Sequence, residues 1–126
     1  MWQVGLVEQM IAREVAAIVI APADSKALVP VLKRARDAGV LVINIDNNLD
    51  AKAMREAGLL APIVGPDNRL GARAVGEAVA RKLRAGDRVA IIEGLPTPYN
   101  SQQRRAGFED AMKAAGMTVV GIQSGQ

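Results

Sequence analysis

The order of apolar runs along the 126-residue chain predicts an α/β fold, a parallel sheet with flanking helices. Three observations carry this. Short β-branched runs alternate with stretches of helical periodicity from one end to the other. Gly39, Gly86 and Gly116 stand just beyond the helical stretches, where a C-terminal stop is wanted. Half of the residues are hydrophobic, yet Trp2, Tyr99 and Phe108 are the only aromatics. The core must therefore be built from Ala, Val, Ile and Leu, as in parallel sheets covered on both faces.

Taken in order, Gln3–Arg13 carries Val4, Val7, Met10 and Ile11 at helical spacing. Val15–Ala21 is too short and too β-branched for a helix and reads as a buried strand ending at Pro22. Asp24 or Ser25 then caps a helix that runs to about Asp37, with Pro30 in its first turns and Gly39 ending it. Val40–Ile45 is the second strand. Asn48–Ala53 is polar, a loop or short helical turn, and Ala61–Val64 is a third, short strand. Gly65-Pro66-Asp67-Asn68 is a turn whose Asp67 or Asn68 caps a helix over 69–84. That helix has a stripe of Leu70, Ala74, Val75, Ala78, Val79 and Leu83, which the amphipathic rule turns toward the core. Its Gly71 and Gly76 are tolerable where the helix lies very close to a neighbouring backbone. Arg88–Ile92 is the fourth strand and Glu93–Ser101 a long loop. Ser101 caps a helix to about Ala115 with Phe108, Ala111, Met112 and Ala115 inward, and Met117–Ile122 is the fifth strand.

Composition excludes several classes of function. With no Cys and no His there is no disulfide, no zinc site of the usual kinds and no His-driven nucleophile. The expectation is no metal, no cofactor and no catalysis. The net charge of +3 comes from both signs mixed along the chain, without an arginine run or interleaved aromatics, so nucleic acid is not an expected partner. No apolar run reaches the roughly 18 residues of a membrane helix. The start, Met1-Trp2-Gln3-Val4, lacks the basic opening of a secretory signal, so an exported parent would contain this chain as a mature piece or fragment.

The stretch Val40–Asn48 carries the functional argument. Its strand stops abruptly at Asp46, followed by Asn47 and Asn48. In parallel sheets the carboxyl ends of the strands share one edge, and that edge binds ligands. Asp24, Asp46-Asn47, Asp67-Asn68 and the 93–101 loop should therefore meet on one rim. Asp24 reads as a helix cap, and Asp67 and Asn68 as turn and cap residues. Asp46 caps no evident helix, and reads either as a solvated carboxylate or as a ligand group. Arg104, expected in the first turn of its helix, opposes the helix dipole there, which hints at service to the rim. Paired acids could hold magnesium, but amides and an Arg suit a sugar better. A carboxylate accepts from adjacent hydroxyls, while amides and guanidinium donate to sugar oxygens.

The succession Ile-Val-Ile-Ala-Pro-Ala-Asp-Ser, Val-Leu-Val-Ile-Asn-Ile-Asp-Asn, Val-Gly-Pro-Asp-Asn-Arg-Leu-Gly, Ile-Ile-Glu-Gly-Leu-Pro and Arg-Arg-Ala-Gly-Phe resembles the ribose-type periplasmic sugar-binding proteins of ABC importers, with the type I periplasmic binding protein fold. The related cores of LacI-type repressors look similar, but no DNA-binding headpiece is present. The resemblance implies that Asp46 is a sugar-binding aspartate of the first lobe and Arg104 a sugar-binding arginine of the second. Asn47 stands where the family often has Arg, and Asn100 at a position that contacts sugar in some members. Gly65, Pro66, Asp67 and Asn68 match a crossing of the hinge. Ala21 replaces an Asn that binds ligand in some members.

Members of that family are about twice as long. The resemblance therefore implies a truncated middle fragment: 1–64 as part of the first lobe, 65–68 as hinge, 69–126 as part of the second. One compact flavodoxin-like domain over 1–126 is the alternative. The implied partners are a monosaccharide such as ribose and a membrane permease, and the implied location is the periplasm. Missing contacts imply weak or absent sugar binding by this chain alone. Exposed edges of a shortened sheet imply a homodimer or larger species. The competing readings are a flavodoxin-like enzyme or phosphoacceptor domain using Asp46, and an inactive scaffold piece.

Overall fold

The computed structural model describes residues 2–125. It has five helices and five strands in alternation, and falls into two compact units, Met1–Gly65 and Pro66–Gln126. The strands lie in two parallel sheets and not in one continuous flavodoxin-like sheet.

The first unit comprises α1 (Trp2–Ala12), β1 (Ala17–Ile20), α2 (Val29–Asp37), β2 (Leu41–Ile45), α3 (Ala51–Ala57) and β3 (Ile63–Val64). Its sheet runs β1-β2-β3, with Ala17 opposite Leu41 and Ile45 opposite Val64. Strand alternation divides the side chains cleanly. Ile18, Ile20, Val42 and Asn44 are buried with Leu28, Val29 and Leu32 of the α2 region. On the other alternation, Val19, Leu41, Ile45 and Val64 remain exposed. One face of this sheet is thus covered and the other open.

The second unit comprises α4 (Asn68–Ala80), β4 (Arg88–Glu93), α5 (Tyr99–Ala114) and β5 (Thr118–Ser124). β4 and β5 pair in parallel, with a bulge where Val89 and Ala90 face Val119 and Gly121. α4 and α5 meet backbone to backbone. A Cβ on Gly107 would lie 2.1 Å from the Arg69 carbonyl oxygen, and one on Gly76 would lie 2.6 Å from the Ala111 Cβ. Close approach is therefore the reason for Gly76. Gly71 has open space around it.

Four expectations need correction. The α4 stripe does not face the core: Leu70 and Val75 are 65% and 61% exposed, and Ala74, Ala78, Val79 and Leu83 are exposed as well. The apolar stripe was real, but the glycine face supplies the packing. α2 starts later than expected, at Val29 with Pro30 in its first turn, because Asp24 caps a separate turn through the amides of Lys26 and Ala27. Of the two readings for 48–53 the helical one holds, but the helix is longer and lies later, over 51–57, capped by Asp50 on the Ala53 amide and closed by Gly58 at φ 66°. Ser101 lies inside α5 and does not cap it; Pro98 holds that position.

Candidate functional site

In the first unit the candidate residues gather at the carboxyl end of β2. Asp46 is exposed, and its backbone lies in the left-handed region at φ 58°. The Asn47 amide donates to the Ile45 carbonyl at 2.7 Å, closing a three-residue turn centred on Asp46. Such γ-turns with positive φ are rare and strained. Neighbours hold the turn in place. The Asp46 amide donates to the Val64 carbonyl at 3.1 Å, extending the β2–β3 pairing past the last strand residue. Gly65 lies against the Asp46 backbone, where a Cβ would come within 3.1 Å of the Asp46 oxygen. The carboxylate thus stands on a backbone fixed from two sides.

Asn47 sits differently. It is 4% exposed, and its side-chain amide donates to the Pro22 carbonyl at 2.6 Å, tying the loop after β2 to the loop after β1. Two residues not singled out in the sequence join this work. Asn44 is fully buried and donates to the Asn47 carbonyl at 2.8 Å while its Oδ1 accepts from the Leu49 amide at 2.9 Å. Gln3 donates to the Ala21 carbonyl at 3.0 Å and accepts from the Ala23 amide at 2.7 Å. An amide inside an otherwise apolar strand was the one visible signal for Asn44.

In the second unit Asp67 caps α4 by accepting from the Leu70 amide at 2.9 Å, as its position predicts. Asn68 is the first residue of α4, and its Oδ1 accepts from Arg104 Nε at 3.0 Å. Arg104 falls in the second turn of α5, which begins at Tyr99. The expected conflict with the helix dipole is therefore weaker than a first-turn position implied. Asn100 belongs to the first turn, its Oδ1 accepting from the Ser101 amide at 2.8 Å. A cavity of about 690 Å³ opens here, with Asn68, Arg104, Glu93 and Ser101 as polar lining and Val75, Ile92 and Phe108 among the apolar.

Beside it lies a chain of ion pairs. Arg105 bridges Glu109 at 2.6 Å and Glu93 at 3.2 Å, and Arg69 bridges Asp110 at 2.8 Å. The Arg69 guanidinium, by hydrogen bond and by charge, holds the Asp110 carboxyl below the usual carboxylate range. Among the described residues no group of three or more acidic side chains is placed to hold a metal ion, and no helix is long and apolar enough to cross a membrane.

A family model described as a periplasmic binding protein domain matches residues 2–126. The D-ribose/D-allose-binding protein of Pseudomonas aeruginosa is 59% identical over 123 residues, which are 98% of this chain and 39% of that protein. The ribose import binding protein RbsB of Bacillus subtilis is 32% identical over 108 residues, 86% of this chain and 33% of that protein. Among solved structures, an ABC transporter periplasmic solute-binding protein of Actinobacillus succinogenes with bound D-allose superposes with a TM-score of 0.85 at 40% identity, over 96% of this chain and 43% of that one. One from Burkholderia multivorans superposes with a TM-score of 0.94 at 62% identity, over 98% of this chain and 44% of that one. The chain thus spans about two fifths of the length of these relatives.

Proposed function

Because this chain belongs to the periplasmic binding protein domain family, we propose that it acts as the solute-binding component of an ABC sugar importer, or as the middle portion of one, and that its ligand is a monosaccharide such as ribose or allose. The role is binding, without catalysis, and the location is the periplasm. Capture between two lobes and hand-over to a membrane permease follow from closure about residues 65–68.

The observation that carries this reading is the exposed Asp46 carboxylate on a strained turn at the end of β2. Two adjacent sugar hydroxyls can donate to one carboxylate, and a neutral polyol needs such an acceptor. Arg104 supplies donors and Asn100 an amide in the second unit. Asn47, being buried, serves through its backbone and through the loop it holds. The 59% identity to a D-ribose/D-allose-binding protein favours those two sugars over other monosaccharides.

The isolated chain binds such sugars weakly at most, since it spans only about two fifths of the length of its relatives. The decisive experiment replaces the matching 123 residues of the Pseudomonas aeruginosa relative with those of this chain. The chimera should bind D-ribose or D-allose in calorimetry, and Asp46→Ala and Arg104→Ala should each abolish the heat. Full binding after Asp46→Ala would refute the assignment.

Association is the second part of the proposal. Val19, Leu41, Ile45 and Val64 leave an apolar sheet face open, and the chain alone covers it by pairing with a second copy.

A further inference from the structure

We infer that Asn44, which no solvent reaches, is a positioning residue for the Asp46 carboxylate. This rests on the reading of Asp46 as a sugar ligand. Asn44 occupies a strand position whose neighbours on the same face are Ile18, Ile20 and Val42, all buried. A Val or Leu would fill that place and need no partners. A buried amide is costly unless its donors and acceptor are satisfied. Its presence among aliphatic side chains therefore calls for a task.

The bonds of the Asn44 amide define the task. Its nitrogen donates to the Asn47 carbonyl at 2.8 Å, with longer contacts to the carbonyls of Ile45 at 3.3 Å and Ile20 at 3.4 Å. Its oxygen accepts from the Leu49 amide at 2.9 Å. One side chain thus grips the chain both before and after Asp46, and also the end of β1. The turn centred on Asp46 reverses the chain sharply, which sends the Asn47 carbonyl back toward the core, where Asn47 is 4% exposed. Without the Asn44 donor the loop would lose the 2.8 Å hydrogen bond that anchors the residue following Asp46 to the core. The turn would then have every reason to relax toward negative φ, swinging the Cβ of Asp46 and the carboxylate it carries. Asn44 makes a strained turn the favoured state, and the strain fixes where the carboxylate points. It touches no ligand itself.

The test uses the chimera with the Pseudomonas aeruginosa relative, labelled for nuclear magnetic resonance, with variants Asn44→Leu and Asn44→Thr and the core control Val42→Ala in this chain's portion. Two readouts are taken at Asp46. The one-bond Cα–Hα coupling and the amide–Hα cross-relaxation report a left-handed backbone. The carboxyl-carbon shift during titration with D-ribose and D-allose reports sugar contact. In Asn44→Leu both signatures should be lost while the methyl shifts of Leu32 and Leu59 stay native. In Val42→Ala both should survive in a less stable chain. Retention of the left-handed signature and the sugar response in Asn44→Leu overturns the inference, as does their equal loss in Val42→Ala.

If Asn44→Leu does not fold, Asn44→Thr decides on the same readouts, since its hydroxyl still accepts from Leu49 but cannot replace the amide donor pair. A chimera without these substitutions that keeps the left-handed signature but whose Asp46 carboxyl ignores both sugars refutes the ligand reading instead. The two failures are therefore distinguishable.

Discussion

Arg104 and Asn68 stand 36 positions apart in sequence and 3.0 Å apart in space, the guanidinium Nε donating to the amide oxygen. An arginine on the second turn of α5 is thereby aimed by the first residue of α4. Asn68→Ala should free the guanidinium and weaken sugar binding in the chimera by about 1 kcal/mol, roughly fivefold. The melting temperature should hardly move, because Asp67 remains to cap α4. Calorimetry and thermal melts on the same preparations check both halves.

Asp46→Gly should raise stability by about 1 kcal/mol, since glycine adopts φ 58° without a steric penalty. The same change removes the carboxylate and with it the sugar response. Urea titration reads the gain. A loss of stability would mean that the Asp46 side chain supports the fold.

The glycines of the helix pair should rank by what surrounds them. Gly107→Ala drives a methyl into the Arg69 carbonyl and should cost about 3 kcal/mol. Gly76→Ala meets the Ala111 Cβ, which moves only with its backbone but is approached less closely, and should cost about 2 kcal/mol. Gly71→Ala, with open space around it inside a helix, should gain about 1 kcal/mol. Denaturant midpoints settle the order.

Acid should weaken the contact between α4 and α5. The Asp110 carboxyl titrates below its usual range because Arg69 favours its charged form. Its contribution is therefore complete above the unfolded-state pKa and is lost as pH falls through the lower folded-state value. Both partners are largely exposed, so the effect is small and screened by salt. Asp110→Asn should flatten the acid limb of the stability curve in low salt and leave neutral pH nearly unchanged.

Replacing Leu41 and Val19 with Lys should shift sedimentation toward the monomer, since both lie on the open face of the first sheet. A wild-type chain already monomeric at high concentration would remove the basis for a second copy there.

Strands were legible because β-branched runs follow helix-stopping glycines that do adopt positive φ: Gly39 at 86°, Gly86 at 88° and Gly116 at 74°. The stripe on α4 was legible as a stripe but not as a direction. Periodicity says that one face is apolar, and only tertiary structure says what that face meets. The packing face was marked instead by Gly76, a residue that contributes nothing to a hydrophobic pattern. Asp24 and Ser101 misled for a shared reason: a capping side chain serves an isolated turn or an interior helical position as well as a helix start. Asp46 stood out as the place where an apolar run stops. Its turn geometry, and the buried amide of Asn44 beneath it, depend on hydrogen bonds between segments that sequence order keeps apart.

Gln3 grips Ala21 and Ala23 from the first turn of α1. Anything that unravels that opening turn, such as a bulky affinity tag fused to residue 1 or a trimmed leader, would therefore be felt some twenty positions downstream, in the loop whose Pro22 carbonyl receives the Asn47 amide. Fusion partners for binding assays are better placed at the other terminus.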